Sequence, residues 1–193
     1  MPHVIEFLRP EARGNLQRPV LFGHNDRCAG AVLFAHSSPM IRNLVQTSAM
    51  ISELAVTTKD AALKELLAAA GKAGAFPESA HMALGKRLSD REAIGSTGLG
   101  NGVAVPHVKG EDVKGVSLVM ARCRSGLEWQ AIDGRPVHVF FMLVSPTNEP
   151  EAHLQCLRWI ASLARNSDFR RFLLDADGEE AMRDLLLEMS GKE

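Results

Sequence analysis

A histidine follows a glycine-rich stretch near the middle of the 193-residue chain. Residues 95–107 contain four glycines and then a short apolar run, 103–105, which ends at Pro106 and His107. Glycine lets the backbone adopt positive φ and approach a ligand or another segment closely. Proline cannot donate a sheet hydrogen bond, so we expect Pro106 to close the strand and to present His107 beyond the sheet edge. An imidazole beside a loop of exposed backbone N–H groups could serve as an anion or phosphoryl site.

Two nucleotide-binding motifs can be compared with this loop, and neither fits. The spacing from Gly95 to Gly100 is that of a phosphate-binding P-loop, but Asn101 and Gly102 stand where that motif needs lysine and then serine or threonine. A dinucleotide fingerprint lies between a strand and a helix, whereas this loop leads into a strand. The glycines therefore do not indicate a nucleotide site.

Two further residues could act with His107. Arg91 lies in the last turn of a predicted helix, where a cation can also simply complement the helix dipole. His153 lies in the first turn of a later predicted helix, where the positive end of the dipole disfavours a charged imidazole. From the residues alone, a structural role is the favoured interpretation of both, because Arg91 ends a helix and His153 falls on an apolar stripe.

Metal binding and thiol chemistry are disfavoured. His153 and Cys156 have the spacing of helical metal ligands, and His107 could join them, but no carboxylate is near in the sequence. Cys156 as a nucleophile with His153 as its base would lack an evident oxyanion site. His138, inside a predicted buried strand, is expected to be structural. We therefore predict no metal and no cofactor.

Composition narrows the class of protein. The chain is 46% apolar and 23% charged, with a net charge of −1, which is typical of an ordinary globular protein and gives no reason to expect nucleic acid as a partner. No apolar run approaches 18 residues, so no membrane insertion is expected. Charged residues occupy the place where a signal peptide would be apolar, and the three cysteines are widely spaced. These features predict a cytoplasmic protein with reduced thiols.

Residues 1–40 are predicted to form a poorly defined N-terminal extension. Four prolines and three glycines divide this part into short pieces, with possible strands at 20–22 and 31–35. His24 and Cys28 are at helical spacing but do not form the tight pairs of a zinc site. An early start codon, with Met40 as the next methionine, is the other interpretation.

Residues 41–193 carry the regular patterns and are predicted to form one domain. Helix formers and apolar periodicity alternate with short apolar runs, which favours an α/β fold with a mixed sheet and helices on both sides. Thr57 and Asp60 resemble a capping box, Asn148 is a candidate N-cap, and 109–114 reads as a polar turn. The predicted helices cover 61–70, 77–94, a segment after Asn148, a segment starting near Ser167 and about 178–189; the predicted strands cover 50–56, 103–105, 115–123 and 137–144.

Residues 91–107, with the sequence REAIGSTGLGNGVAVPH, closely resemble the active-site segment of the type-2 IIA domains of the phosphoenolpyruvate phosphotransferase system, the fructose/mannitol and nitrogen-regulatory class. The resemblance extends from about Ile41 to the C-terminus. It implies a three-layer α/β/α sandwich on a mixed β-sheet. One departure is Val108, because the family usually has glycine or another small residue after the histidine.

The resemblance also implies roles for particular residues. His107 would be the phosphorylated histidine, Arg91 the arginine that stabilises the phosphoryl group, and His153 a neutral second histidine. A guanidinium suits phosphoryl oxygens better than an ammonium does. The loop would supply hydroxyl and backbone N–H donors to the transferring group; its residues are Ser96, Thr97, Gly98, Gly100, Asn101 and Gly102.

Three functions follow as hypotheses. The main one is a phosphocarrier that accepts a phosphoryl group from the histidine of an HPr-like protein and has a regulatory, nitrogen-type output toward kinases or potassium-transport regulators. The glycine loop looks more like that branch than like the mannitol one. The second is a sugar-uptake IIA component that passes the group to a IIB protein. The third, motivated by Val108 and the extension, is a non-catalytic IIA-like binding module.

Overall fold

The computed structural model describes residues 39–191. The predicted strands at 20–22 and 31–35 lie outside these residues. The helices are α1 (Pro39–Thr47), α2 (Lys59–Lys72), α3 (His81–Ile94), α4 (Pro150–Arg165), α5 (Ser167–Asp175) and α6 (Gly178–Ser190), with a 3₁₀ turn at Glu78–Ala80. The strands are β1 (Ala49–Ile51), β2 (Gly98–Gly100), β3 (Val103–Ala104), β4 (His107–Gly110), β5 (Ser117–Leu127) and β6 (Val137–Pro146).

One mixed sheet is built around β6. Strand β5 pairs with β6 in antiparallel orientation, and β1 is parallel to β5 at the far edge. On the other side of β6, strands β3 and β4 follow one another and both run parallel to it. Strand β2 is antiparallel to β3. Strand β4 thus runs along the edge of β6, away from β1.

Both faces of the sheet are covered by helices. On β6, Phe140 and Met142 belong to a core formed with α2 and α3, whereas Phe141 and Leu143 belong to a core formed with the other helices. This alternation is expected of a strand that is buried on both faces. The three-layer α/β/α sandwich on a mixed sheet is therefore confirmed. Among residues 39–191, no helix combines the length and apolar character needed to cross a membrane.

Several predicted boundaries were wrong by one or more residues. The side chain of Thr58, not Thr57, caps α2 by accepting from the backbone N–H of Ala61. Glu149, not Asn148, is the N-cap residue of α4, and no side chain bonds this helix end. Strand β5 continues to Leu127 through an irregular register, whereas the strand was predicted to end at residue 123.

The largest correction concerns the chain after Pro106. His107 does not project beyond the sheet, because it begins β4 and is in register with Leu143 of β6. Lys109 lies in the same strand rather than in the predicted polar turn. The Pro106 carbonyl accepts from the backbone N–H of Leu143, so Pro106 interrupts the edge of the sheet without ending it.

Candidate active site

The backbone fixes the tautomer of His107. Its Nδ1 lies 2.9 Å from the carbonyl oxygen of Val105. Since a carbonyl only accepts hydrogen bonds, Nδ1 carries the proton. The other ring nitrogen, Nε2, is then unprotonated, and its lone pair can act as a nucleophile.

Arg91 reaches His107 from helix α3, which packs on one face of the sheet. Its Nε donates to Nε2 of His107 at 3.3 Å, and its Nη1 donates to the carbonyl oxygen of Gly95 at 2.9 Å. Helix α3 ends at Ile94, because Gly95 has an extended backbone with φ 175° and ψ 142°. The guanidinium is therefore held between the end of its own helix and the imidazole.

His153 approaches from helix α4 on the opposite face. Its side chain is buried, with the residue only 5% exposed, and its Nδ1 lies 2.7 Å from the Oγ of Ser145 at the end of β6. The rings of His107 and His153 meet edge to face, with centroids 5.5 Å apart. One residue from each helix layer and one from the edge strand of the sheet therefore meet at this point.

A pocket of about 350 Å³ opens at this point. It is lined by the three predicted residues and by Val108, Arg87 and Lys109. Arg87 also donates to the Lys109 carbonyl oxygen and so ties α3 to β4. Three cationic side chains beside two imidazoles favour an anionic ligand.

The sequence analysis missed Arg87 and Lys109. Two periodicities could have indicated them: Arg87 precedes Arg91 by one helical turn, and Lys109 shares a strand face with His107. The Val108 side chain, by contrast, packs in the core formed with α2 and α3. The residue that departs from the family pattern therefore points its side chain away from the imidazole.

Both imidazoles are neutral near pH 7. Burial is the main cause that lowers the pKa of His107 below 6.5; Arg91 and Lys109 lower it further, while the Val105 bond and Glu92 oppose them. The pKa of His153 is lowered to about 4, again chiefly by burial, with Lys109 and His107 contributing. The neutral state predicted for His153 therefore rests mainly on burial rather than on the helix dipole.

The six predicted loop residues do not line the pocket. The hydroxyl of Ser96 donates to the Trp129 carbonyl oxygen and accepts from the Gly98 N–H, and Thr97 is bonded to Glu92. The N–H of Asn101 donates to Asp133. These donors of Ser96, Thr97, Gly98 and Asn101 are therefore engaged within the protein, and contact of the loop with a phosphoryl group stays a prediction.

The glycines do serve the purpose expected of their backbone freedom. Gly100 and Gly102 have φ of +85° and +74°. A Cβ at Gly98 would lie 2.7 Å from Ala131, so only glycine allows this close approach of two segments. The loop is therefore shaped to pack on the chain around Trp129.

Cysteine and metal chemistry find little support at this site. Burial raises the pKa of the Cys156 thiol to about 11, which leaves the reactive thiolate almost unpopulated at neutral pH. In the described part of the chain, no group of three or more histidine, cysteine, aspartate or glutamate side chains is placed to hold a metal ion.

Comparisons with known proteins agree with the motif. Residues 43–189 match the family described as "Phosphoenolpyruvate-dependent sugar phosphotransferase system, EIIA 2". A nitrogen regulatory protein of Bradyrhizobium diazoefficiens is 32% identical over 146 residues, which are 76% of this chain and 94% of that protein. A fructose-specific EIIABC component of Bacillus subtilis is 29% identical over 128 residues, and the chain spans only 20% of that protein.

Solved structures show the same fold. The nitrogen regulatory protein IIA-Ntr of Neisseria meningitidis superposes with a TM-score of 0.68 at 30% identity, over 76% of this chain and 99% of that one. The IIA component of an Escherichia coli complex of IIA-mannitol with phosphorylated IIB-mannitol matches with a TM-score of 0.62 at 17% identity, over 72% of this chain and 94% of that one. The second likeness concerns the fold alone.

Proposed function

The chain belongs to the EIIA type-2 family of the phosphoenolpyruvate-dependent sugar phosphotransferase system, and on this premise we propose that it is a phosphohistidine carrier. It accepts a phosphoryl group from the phosphohistidine of an HPr-like protein onto Nε2 of His107. The observation that carries this proposal is the fixed tautomer of His107, whose unprotonated Nε2 faces the Arg91 guanidinium.

The reaction requires little of the protein beyond placement and charge. The Nε2 lone pair attacks phosphorus, the P–N bond of the donor breaks, and its electron pair returns to the donor imidazole. The proton of His107 stays on Nδ1, hydrogen-bonded to the Val105 carbonyl oxygen, throughout the transfer, so no general base is needed on this side. A neutral nucleophile, in-line placement and donors to the phosphoryl oxygens are the main needs of such a transfer.

The neighbouring residues receive roles from their positions. When the phosphoryl group occupies Nε2, the Arg91 guanidinium turns from the ring nitrogen to the phosphoryl oxygens, for which its planar donors are suited. Neutral His153 donates from Nε2 if its Nδ1 accepts from the hydroxyl of Ser145. The Gly98–Gly102 region forms part of the strand pair before His107, and Ser96 and Thr97 hold the turn beside Arg91. We also propose that this loop donates hydrogen bonds to a docked phosphoryl group.

We propose a regulatory output rather than sugar uptake. The support is the nitrogen regulatory relative, of which the chain covers 94% at 32% identity, together with the solved IIA-Ntr structure, which is 30% identical to this chain where the IIA-mannitol structure is 17% identical. Kinases or potassium-transport regulators would then respond to the phosphorylation state, and the carrier would act in the cytoplasm. Affinity capture from a cell extract tests this choice, because recovery of a IIB sugar protein instead of such regulators would favour the uptake role.

Intact-protein mass spectrometry tests the carrier function. The wild type and His107→Ala would be incubated with phosphoenolpyruvate, enzyme I and an HPr-like carrier. We expect one acid-labile phosphoryl group on the wild type and none on the variant. No mass increase with any carrier would instead support the non-catalytic IIA-like binding module, the alternative from another class.

A further inference from the structure

We propose that Glu92 is a positioning residue for Arg91. Glu92 acts through Thr97 and the turn at residues 95–97. This inference rests on the carrier function proposed above, because it assigns Glu92 to the same site. Glu92 does not line the pocket and does not touch the reacting atoms. Its effect is to hold the backbone that holds the arginine.

Glu92 is a buried carboxylate with a complete set of partners. The residue is only 8% exposed. Its Oε1 accepts from the backbone N–H of Thr97 at 2.9 Å, and its Oε2 accepts from the Thr97 hydroxyl at 2.6 Å. Lys59 supplies the opposite charge, with its Nζ 2.6 Å from Oε1. A buried carboxylate without such partners would be strongly unfavourable.

Trp129 completes the network from the far side. Its Nε1 donates to the Thr97 hydroxyl oxygen, and its carbonyl oxygen accepts from both Lys59 and Ser96. The Lys59 ammonium also lies 5.1 Å from the centroid of the indole ring. The Thr97 hydroxyl therefore accepts from Trp129 and donates to Glu92, which fixes its orientation.

The network bears directly on Arg91. Glu92 is the next residue of α3, and Thr97 lies just after the helix ends, so the two bonds between them close the turn in between. Gly95 lies within this turn, and its carbonyl oxygen is the acceptor for Nη1 of Arg91. If the turn opens, the guanidinium loses one of its two contacts. Misplacement of a catalytic group by about 1 Å can cost on the order of a hundredfold in rate.

Charge gives the network a second, weaker connection to the site. The carboxylate of Glu92 acts to raise the pKa of His107, against burial, Arg91 and Lys109. His153 from α4 and Arg87 from α3 also face the pocket. Loss of the Glu92 charge should therefore lower the pKa of His107 further and leave it neutral.

The chain offers matched variants. Glu92→Gln removes the charge, Thr97→Val removes the hydroxyl at nearly constant volume, and Thr97→Ser keeps the hydroxyl. Glu53→Gln is the control, because Glu53 also accepts from a backbone N–H and pairs with an arginine, but does so with Arg124 beside the opposite sheet edge. Thermal unfolding of each variant would establish the folded fraction used to normalise its rate.

The rate of phosphoryl acceptance tests the proposal. For Glu92→Gln and Thr97→Val, we expect the maximal rate to fall about ten- to a hundredfold, with little change in the donor concentration that gives half the maximal rate. Thr97→Ser and Glu53→Gln should retain the wild-type rate. In an Arg91→Ala background, Glu92→Gln should cost nothing more, because residues that act through one another are not additive. A wild-type rate in folded Glu92→Gln, or a full additional loss in the Arg91→Ala background, would overturn the proposal.

Nuclear magnetic resonance separates this inference from the carrier function, since it needs no donor. In the wild type we expect a slowly exchanging Arg91 Nε–H and a His107 ring protonated on Nδ1. Glu92→Gln and Thr97→Val should increase the exchange rate of the Nε–H, whereas Glu53→Gln should not. Unchanged exchange would refute the positioning role even if the carrier function holds. Faster exchange in these two variants, combined with a wild type that accepts no phosphoryl group, would refute the carrier function alone.

Discussion

The Nε of Arg91 lies 3.3 Å from Nε2 of His107, and each atom is directed by a different backbone carbonyl. The Gly95 carbonyl holds the guanidinium, and the Val105 carbonyl holds the proton on the far side of the imidazole. The Nε2 lone pair of His107 is thereby directed at the Arg91 guanidinium before any ligand binds. Such preorganised charge is the main means by which a protein can stabilise a transferring phosphoryl group.

Replacement of Arg91 tests this arrangement. We expect Arg91→Ala to lower the rate of phosphoryl acceptance by about a hundred- to a thousandfold, the cost of removing one preorganised donor at other sites. Arg91→Lys should recover only part of the rate, because an ammonium cannot offer two parallel donors. Rapid-quench measurement of acceptance would give both values. Equal rates for Arg91→Lys and the wild type would show that only the positive charge matters.

Ser145 is predicted to set the tautomer of His153. The hydroxyl lies 2.7 Å from Nδ1, so Ser145→Ala should leave the ring free to adopt either neutral form. We expect a loss of about tenfold in the rate of acceptance, less than the roughly hundred- to ten-thousandfold of a group that itself transfers a proton, because Ser145 acts only through His153. Nitrogen chemical shifts of the ring would report the tautomer directly. An unchanged shift and an unchanged rate would assign Ser145 to packing alone.

Acid should destabilise the fold through His153. Its folded pKa is about 4, below the unfolded value of 6.5, so the unfolded chain binds more protons between these limits. The contribution of His153 to the free energy of unfolding is therefore complete above pH 6.5. It falls as the pH decreases toward 4, by at most about 1.4 kcal/mol per pH unit.

His153→Gln is the comparison for this effect, because glutamine does not titrate. Urea unfolding at several pH values should show a steeper loss for the wild type than for this variant. The difference between the two proteins removes the contribution of carboxylates elsewhere in the chain. Parallel curves would contradict a low folded pKa at His153.

Val108 is expected to affect stability and not transfer. Its side chain is buried in the core formed with α2 and α3, so Val108→Ala should lower the free energy of unfolding by roughly 1 to 3 kcal/mol. The rate of acceptance per folded molecule should stay within about twofold of the wild type. Chemical denaturation and the transfer assay measure the two effects separately. A large loss of rate in a stable variant would show that this departure from the family pattern shapes the approach of the partner.

The sequence predicted the features of this protein that depend on local signals. Apolar periodicity and strong helix formers indicated α2, and the continuous apolar run indicated β6. The family resemblance predicted that Arg91, His107 and His153 share one site, and the structure places these three side chains around one pocket. Their catalytic roles remain predictions.

Features that depend on distant partners were not predicted. The resumption of the sheet at His107 requires pairing with β6, more than thirty residues later. The sequence does not single out Glu92, because its burial depends on a network with the distant residues Lys59 and Trp129. Arg87 and Lys109 share a helix face with Arg91 and a strand face with His107, respectively. They line the site because α3 and β4 meet at the same pocket.

The nitrogen that carries the phosphoryl group is the most direct test of the account. Phosphorus–nitrogen couplings would be recorded on wild-type protein labelled with ¹⁵N-histidine, after phosphorylation by the HPr-like donor. The account predicts a single phosphoryl group on Nε2 of His107, with the Nδ1 proton retained. A phosphoryl group on Nδ1 or on another residue, or equal phosphorylation of His107→Ala, would contradict it.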